Sequence, residues 1–177
     1  MKQFRFIIFT LTSLFFIACQ SASPDKFFGQ VVLNTNLIAD FDPVTFGKRL
    51  EQETREFPDV PASKKNGDEA QQIVNLKVLT VEKAIKDIKG LTVSDDDAKV
   101  LQEQSIQLFE AVLPVYKNEY AAYAKLCDTK GTDEEKQQLL QKIEKEYLPK
   151  VDGLFENVYD LGKKYADKHQ LNVKWGY

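Results

Sequence analysis

Along the C-terminal two-thirds of the chain, apolar side chains recur at a spacing that predicts long amphipathic helices. The first of these helices is expected to begin after an N-cap at Asp68, with Gln71 in the capping-box position, and to end at Gly90. Its narrow apolar stripe is typical of a helix that packs on other helices. The stripe consists of Val74, Val78, Val81, Ile85 and Ile88.

Two longer helices follow. The second is expected to begin at the N-cap Ser94, with acidic residues 95–97 in its first turn, where the helix dipole favours negative charge. The third is expected to begin at Thr132, with Glu135 completing a capping box. Because only residues 128–131 link them, these two helices are predicted to run antiparallel. Their predicted core positions are Leu101, Ser105, Leu108, Val112, Val115, Phe109, Leu113, Tyr116, Tyr120, Tyr123 and Cys127 on the second, and Leu140, Ile143, Tyr147, Val151, Leu154, Val158, Leu161 and Tyr165 on the third.

The two ends of the chain are less regular. Asp42-Pro43 is typical of an N-cap and first helical residue, whereas residues 26–41 fit either a helix or a strand. Apolar residues alternate with polar ones from Leu171 to Tyr177, which predicts an extended tail. The predicted fold is all-α: an antiparallel bundle of three long helices, a weaker N-terminal helical element and this extended C-terminal tail.

A proline falls inside each of the two longest predicted helices. Pro114 and Pro149 each remove a backbone hydrogen bond and crowd the preceding turn, so each is expected to bend or divide its helix. Counted from the link, both lie at about the same height in the bundle. Two bends at one level can nest together or open a gap between the helices.

The length of the chain is that of a single domain. Residues 26–177 are enough for one domain with its own core, and residues 57–67, rich in proline and charge, are expected to form a flexible loop within it.

The formal net charge of the chain is −3, and removing residues 1–18, which contain Lys2 and Arg5 but no acid, makes it −5. A mildly acidic chain of alternating charge has no basic surface for nucleic acid.

The first nineteen residues form a recognisable targeting pattern. Lys2 and Arg5 precede an apolar run that is too short to span a bilayer, and the run ends in Phe16-Ile17-Ala18-Cys19. The last four residues resemble the lipobox of bacterial lipoprotein precursors, although Phe16 stands where leucine is usual.

This resemblance implies a signal peptide at residues 1–18, acyl chains on Cys19 that hold the protein to a membrane, and a polar tether over residues 19–25. Gln20, rather than aspartate, after the cysteine implies the outer membrane in a bacterium that has two membranes, with the leaflet left open. The alternative is an ordinary secretory signal with Cys19 nearby by chance.

The chain lacks the residue sets of common catalytic and metal sites. His169 is the one histidine, so a di-iron bundle is not predicted, and the Cys-x-x-Cys-His run that a covalent haem needs is missing. No metal or cofactor is expected. Cys127 is expected to be a small buried apolar residue, because the predicted topology puts His169 at the other end of the helical pair. Carboxylates that could act as paired acids are interpreted instead as a solvated helix face: Glu110, Glu119, Glu146 and Glu156.

Tyrosines are the remaining candidates for a site. Tyr116, Tyr120 and Tyr123 share one face of the second helix, and Tyr147 lies on the third. They could line a ligand-binding gap beside Pro114 and Pro149, or they could fill the boundary of the core, which is the more common role of such stripes.

The arrangement of an anchor and a helical body is similar to that of uncharacterised helical-bundle lipoproteins of bacteria, including YiiG-like ones, in layout without a shared motif. The expected function is that of a non-enzymatic, membrane-anchored envelope lipoprotein that binds another envelope protein. The alternative is a small-ligand-binding bundle that uses the tyrosine-lined gap.

Overall fold

The structure, a computed structural model, describes residues 21–175, so Cys19, the predicted signal peptide at residues 1–18 and Tyr177 lie outside it. Within that range the chain forms helices and connecting segments but no strand, which confirms the all-α prediction. The α-helices are α1 (Pro24–Val31), α2 (Pro43–Glu53), α3 (Glu69–Lys89), α4 (Asp96–Val115), α5 (Ala121–Asp128), α6 (Asp133–Lys142) and α7 (Leu148–Lys168). Short 3₁₀ helices span Leu33–Ile38 and Pro61–Ser63, and π-helical turns span Tyr116–Tyr120 and Ile143–Tyr147.

The N-terminal part is helical, which decides between the two alternatives for residues 26–41. Ser23 caps α1 by accepting a hydrogen bond from the Lys26 amide at 3.4 Å. The polar stretch that follows α1 forms the 3₁₀ helix Leu33–Ile38, not a strand. As predicted, Asp42 caps α2, accepting from the amides of Val44 at 3.3 Å and Thr45 at 2.7 Å.

The predicted capping box of α3 is wrong. Asp68 occupies the N-cap position, but its side chain makes no capping bond, since its backbone (φ −141°, ψ 11°) is not in the extended conformation of most N-caps. The Asp128 carboxylate at the end of α5 takes that role instead. It accepts hydrogen bonds from the amides of Ala70 and Gln71 and from the Gln71 side chain, each at 3.0 Å.

The other two caps differ in outcome. The second long helix is capped by Asp95, one residue after the predicted Ser94, and the Asp95 carboxylate accepts from the Asp97 amide at 3.3 Å. The capping box of Thr132 and Glu135 is confirmed, with reciprocal bonds of 3.2 Å and 3.1 Å.

Both long helical segments are interrupted close to their prolines. Pro114 lies two residues before the π-turn Tyr116–Tyr120, and Pro149 lies two residues after the π-turn Ile143–Tyr147. A π-turn changes the backbone hydrogen-bond pattern locally, which lets a helix continue past a residue that cannot donate an amide hydrogen. The expected division of each helix therefore takes the form of a π-turn between two α-helices.

The core lies between α4 and its neighbours. All five residues of the first predicted stripe of α4 are fully buried, including the polar Ser105, whose hydroxyl donates to the Val31 carbonyl at 2.7 Å. α4 packs against both α3 and α7, as the prediction of a wide apolar face requires. After α7, residues 171–175 form no helix or strand, and Trp175 packs edge-on against Phe28 and Tyr159.

Candidate functional site

The tyrosines of the predicted site lie inside the core. Tyr116 and Tyr120 are fully buried, and Tyr123 is 1% exposed. The ring of Tyr116 packs edge-on against Phe41 and Phe46 at centroid distances of 5.6 and 5.5 Å, and Tyr120 packs on the same two rings. The phenylalanines come from the N-terminal segment, so these tyrosines fill the contact between that segment and the second long helix.

The hydroxyl groups of these tyrosines are not poised for acid–base chemistry. The Tyr120 hydroxyl donates a hydrogen bond to the Phe41 carbonyl, whereas the Tyr116 hydroxyl has no partner among the described residues. Burial raises the pKa of Tyr116, Tyr120 and Tyr123 far above that of a free tyrosine. The phenols therefore stay protonated at any physiological pH.

One carboxylate links the two π-turns by a hydrogen bond. Glu119, in the first π-turn, is only 8% exposed and accepts hydrogen bonds from Lys142 Nζ at 3.1 Å and from the Tyr147 hydroxyl at 3.0 Å. The interpretation of Glu119 as part of a solvated face is therefore wrong. Glu119 lies four residues after the buried Val115, so ordinary α-helical spacing already continues the apolar stripe of α4 to this position. This bond to Glu119 raises the pKa of Tyr147.

Cys127 and His169 are far apart in the fold, at the ends of α5 and α7 respectively. Cys127 is 5% exposed, and burial raises the pKa of its thiol to about 11. His169 lies beside Asp95 at the start of α4, with 3.8 Å between its Nε2 and the carboxylate. The two side chains do not form a nucleophile–base pair.

A cavity of about 620 Å³ lies away from the tyrosines, where sequence reasoning had placed only a flexible loop. It is formed by residues 54–64 and bounded on one side by Lys130, in the link between α5 and α6. We call it the loop groove. A second cavity of about 210 Å³ shares Thr54, Glu56 and Lys130 with it and extends to Asp128 and Glu69 at the start of α3.

The wall of the loop groove is held in one conformation by local hydrogen bonds. The Ser63 hydroxyl accepts a hydrogen bond from the Phe57 amide at 2.8 Å and donates one to the Val60 carbonyl at 2.6 Å. Ser63 thus holds together the turn formed by residues 57–63. Glu56 accepts from the Lys65 amide at 2.9 Å. Pro58 and Pro61 restrict the backbone of the same segment.

The surface of the loop groove is apolar with a basic rim. Phe57 is 59% exposed and Val60 is 48% exposed, so two large apolar side chains of the loop groove are open to solvent. The lining also contains the basic residues Arg55, Lys64 and Lys130 and the acid Glu56, and a second acid, Asp59, is exposed in the same loop. The sequence carries a signal for this surface, namely two large apolar residues within a polar, proline-rich loop, but composition alone led to its interpretation as a flexible loop.

The loop groove and the start of the described chain lie at opposite ends of α3. The Ala22 amide donates to the carbonyl of Thr92, just after α3, at 3.2 Å. Residues 66–69, which line the second cavity, lie at the beginning of α3. At about 1.5 Å per residue, the length of α3 separates the two points by about 30 Å.

Comparisons of the chain with protein-family models, with curated proteins and with solved structures found no match. No helix within residues 21–175 has both the length and the apolar character needed to cross a membrane. In the same range, no group of three or more histidine, cysteine or carboxylate side chains is placed to hold a metal ion. The sequence-based expectation that the protein uses no metal or cofactor stays a prediction.

Proposed function

We propose that the protein is a lipid-anchored lipoprotein of the bacterial cell envelope whose helical body binds another protein and has no catalytic activity. The anchor is the acylated Cys19 that the pattern of residues 1–19 predicts. Gln20 after the cysteine favours the outer membrane where a bacterium has two membranes. The observation that carries the proposal is the position of Ala22 at one end of the bundle, with the loop groove at the other.

Chain length supports this orientation. Ala22 follows Cys19 by three positions, and an extended chain covers at most about 11 Å over that distance. The Thr92 end of the body would therefore lie at the lipid surface. The loop groove would then stand about 30 Å farther out, where another envelope protein can reach it.

The proposed architecture is an antiparallel bundle of three long rods: α3, α4 with α5, and α6 with α7. Ion pairs of 2.8 Å between Lys168 at the end of α7 and both Asp95 and Asp97 at the start of α4 support opposite directions for the second and third rods. α1 and α2 form the N-terminal element, and residues 171–175 form the proposed extended tail.

The alternative of a ligand-binding gap between the tyrosines gains no support. Tyr116 and Tyr120 are fully buried, and their rings are packed on phenylalanines. A binding site there would require these rings to leave the core.

Metabolic labelling tests the anchor. Cells that express the full chain are grown with an alkyne-tagged palmitate, and label on the protein is measured for the wild type, Cys19→Ser and the control Cys127→Ser. We expect label in the wild type and in Cys127→Ser only, and both should sediment with membranes. Label that persists in Cys19→Ser, or a wild-type protein that is secreted without label, would overturn the proposal.

A further inference from the structure

We propose that the loop groove binds an acidic segment of another envelope protein, with an apolar side chain of that segment seated on Phe57 and Val60. The identity of the partner as an envelope protein rests on the proposed function. The binding chemistry itself stands on the contacts of the loop groove and is testable without the membrane.

Charge selects the partner. Arg55 and Lys64 make no ion pair within the described part of the chain, and both face the loop groove together with Lys130. Of the two acids in the loop, Glu56 is already bonded to the Lys65 amide and lies 3.9 Å from Lys130 Nζ, and Asp59 is exposed between the lining residues Pro58 and Val60. The loop groove is thus a local excess of positive charge on a chain of net charge −3, which is complementary to carboxylates.

The apolar side chains supply the contact area. The backbone of Phe57 is held by Ser63, whose hydroxyl accepts from the Phe57 amide at 2.8 Å and lies 3.0 Å from the Phe57 carbonyl. A backbone that is already ordered loses little conformational freedom when a partner covers the side chain that it carries. Exposed aromatic residues flanked by arginine are typical centres of protein interfaces.

The shape of the loop groove favours a polypeptide segment. Small molecules are usually bound in pockets that enclose most of their surface, whereas the loop groove is an open surface whose walls are largely exposed residues. An extended segment can lie along such a surface and place alternate side chains on the apolar patch and the basic rim. The position of the loop groove at the end farther from Ala22 argues against lipid headgroups as the occupant.

Fluorescence anisotropy with the full chain in detergent tests the inference. The probe is a short labelled peptide that alternates glutamate with leucine, and its matched control has lysine in place of every glutamate. At low ionic strength we expect the acidic peptide to bind at least about tenfold more tightly than the basic one. The double variant Arg55→Glu/Lys64→Glu should weaken its binding about tenfold, and Phe57→Ala should weaken it severalfold.

Lys150→Glu is the matched charge-reversal control. Lys150 is exposed, lies outside the loop groove, and should bind the acidic peptide like the wild type. Equal binding of both peptides, or an unchanged affinity in the double variant, would overturn the inference. So would displacement of the acidic peptide by inorganic phosphate or laurate at equal charge concentration, because either result identifies a site for small anions. Lipid label on Cys19 is measured separately, so loss of peptide binding and loss of the anchor are distinguishable.

Discussion

The cap of α3 gives the sharpest test of the structure against sequence reasoning. Asp68 is the residue that the sequence selects as the cap, whereas the structure gives the role to Asp128, which is distant in sequence. Replacing each by alanine removes one of the two candidate carboxylates. The structure predicts that Asp128→Ala is strongly destabilising and that Asp68→Ala is nearly neutral.

The magnitude follows from the bonds that each variant loses. Asp128 accepts three hydrogen bonds at 3.0 Å, two of them from amides in the first turn of α3 that have no partner within the helix. Losing an N-cap costs up to about 2 kcal/mol, and bonds to a charged group are worth more than neutral ones, so we expect a loss of about 2–3 kcal/mol. Asp68 accepts only from the exposed Gln72 side chain at 2.9 Å, and its loss should change stability by less than about 0.5 kcal/mol.

Urea unfolding followed by circular dichroism measures the unfolding free energy of each variant, and thermal unfolding measures its melting temperature. For a domain of this size, the expected loss in Asp128→Ala lowers the melting temperature by roughly 5–10 °C. Asp128→Asn keeps one acceptor oxygen and should fall between the wild type and Asp128→Ala. If Asp68→Ala is as destabilised as Asp128→Ala, the tertiary cap is refuted and the local capping box is restored.

Further predictions concern the core, the thiol, one turn and one titrating cap. Tyr120→Phe removes a buried hydrogen bond to the Phe41 carbonyl and should cost about 1–2 kcal/mol of unfolding free energy, whereas Tyr116→Phe, whose hydroxyl has no partner among the described residues, should cost less than about 0.5 kcal/mol; equal losses would contradict the hydrogen-bond assignment. With its pKa raised to about 11, the Cys127 thiol should react with a disulfide reagent at pH 8 at least about 100-fold more slowly in the folded protein than in urea, and the unfolded protein should show one reactive thiol if Cys19 is acylated and two if it is not. Gln170 follows the C-cap residue of α7 and has φ at 54°, so Gln170→Gly should raise the unfolding free energy by about 0.5–1 kcal/mol, and a decrease in urea midpoint would show that the side chain is needed there. Burial raises the pKa of Asp42, but bonds from the Thr45 side chain and from the amides of Thr45 and Val44 outweigh it and lower the pKa overall; the stabilisation is therefore full above the unfolded-state pKa of about 4 and is lost as the pH falls through the folded-state value, so Asp42→Asn should be more destabilising at pH 7 than at pH 3.

Local signals in the sequence predicted most of the helices. The capping box at Thr132, the Asp42-Pro43 start and the apolar stripe of α4 all depend on residues within one or two turns, and the structure confirms each of them. Whether residues 26–41 were helix or strand could not be decided locally. Phe27, Phe28 and Val31 are buried against other helices, and that contact outweighs the poor helix propensity of the asparagines that follow.

Features that depend on distant residues were missed. The cap from Asp128 joins residues nearly sixty positions apart, and no pattern around Asp68 signals it. Glu119 was interpreted as solvated because of its charge, although it lies four residues after the buried Val115 on the stripe of α4. The loop groove was missed for a third reason: its apolar side chains are exposed, whereas periodicity detects only apolar residues that face a core.

The paired π-turns have a mechanical consequence. They lie between the end of the bundle that holds Ala22 and the end that holds the loop groove, and helices bend most readily at such turns. α3 runs past the first π-turn without interruption, and the ion pair of Glu82 with Lys117 joins the two. α3 therefore resists bending of the bundle at this π-turn. The resistance of the bundle to bending therefore depends mainly on the region of the π-turns. It comes from the hydrogen bonds of Glu119 with Lys142 and Tyr147 and from the packing of the unbroken α3 beside them.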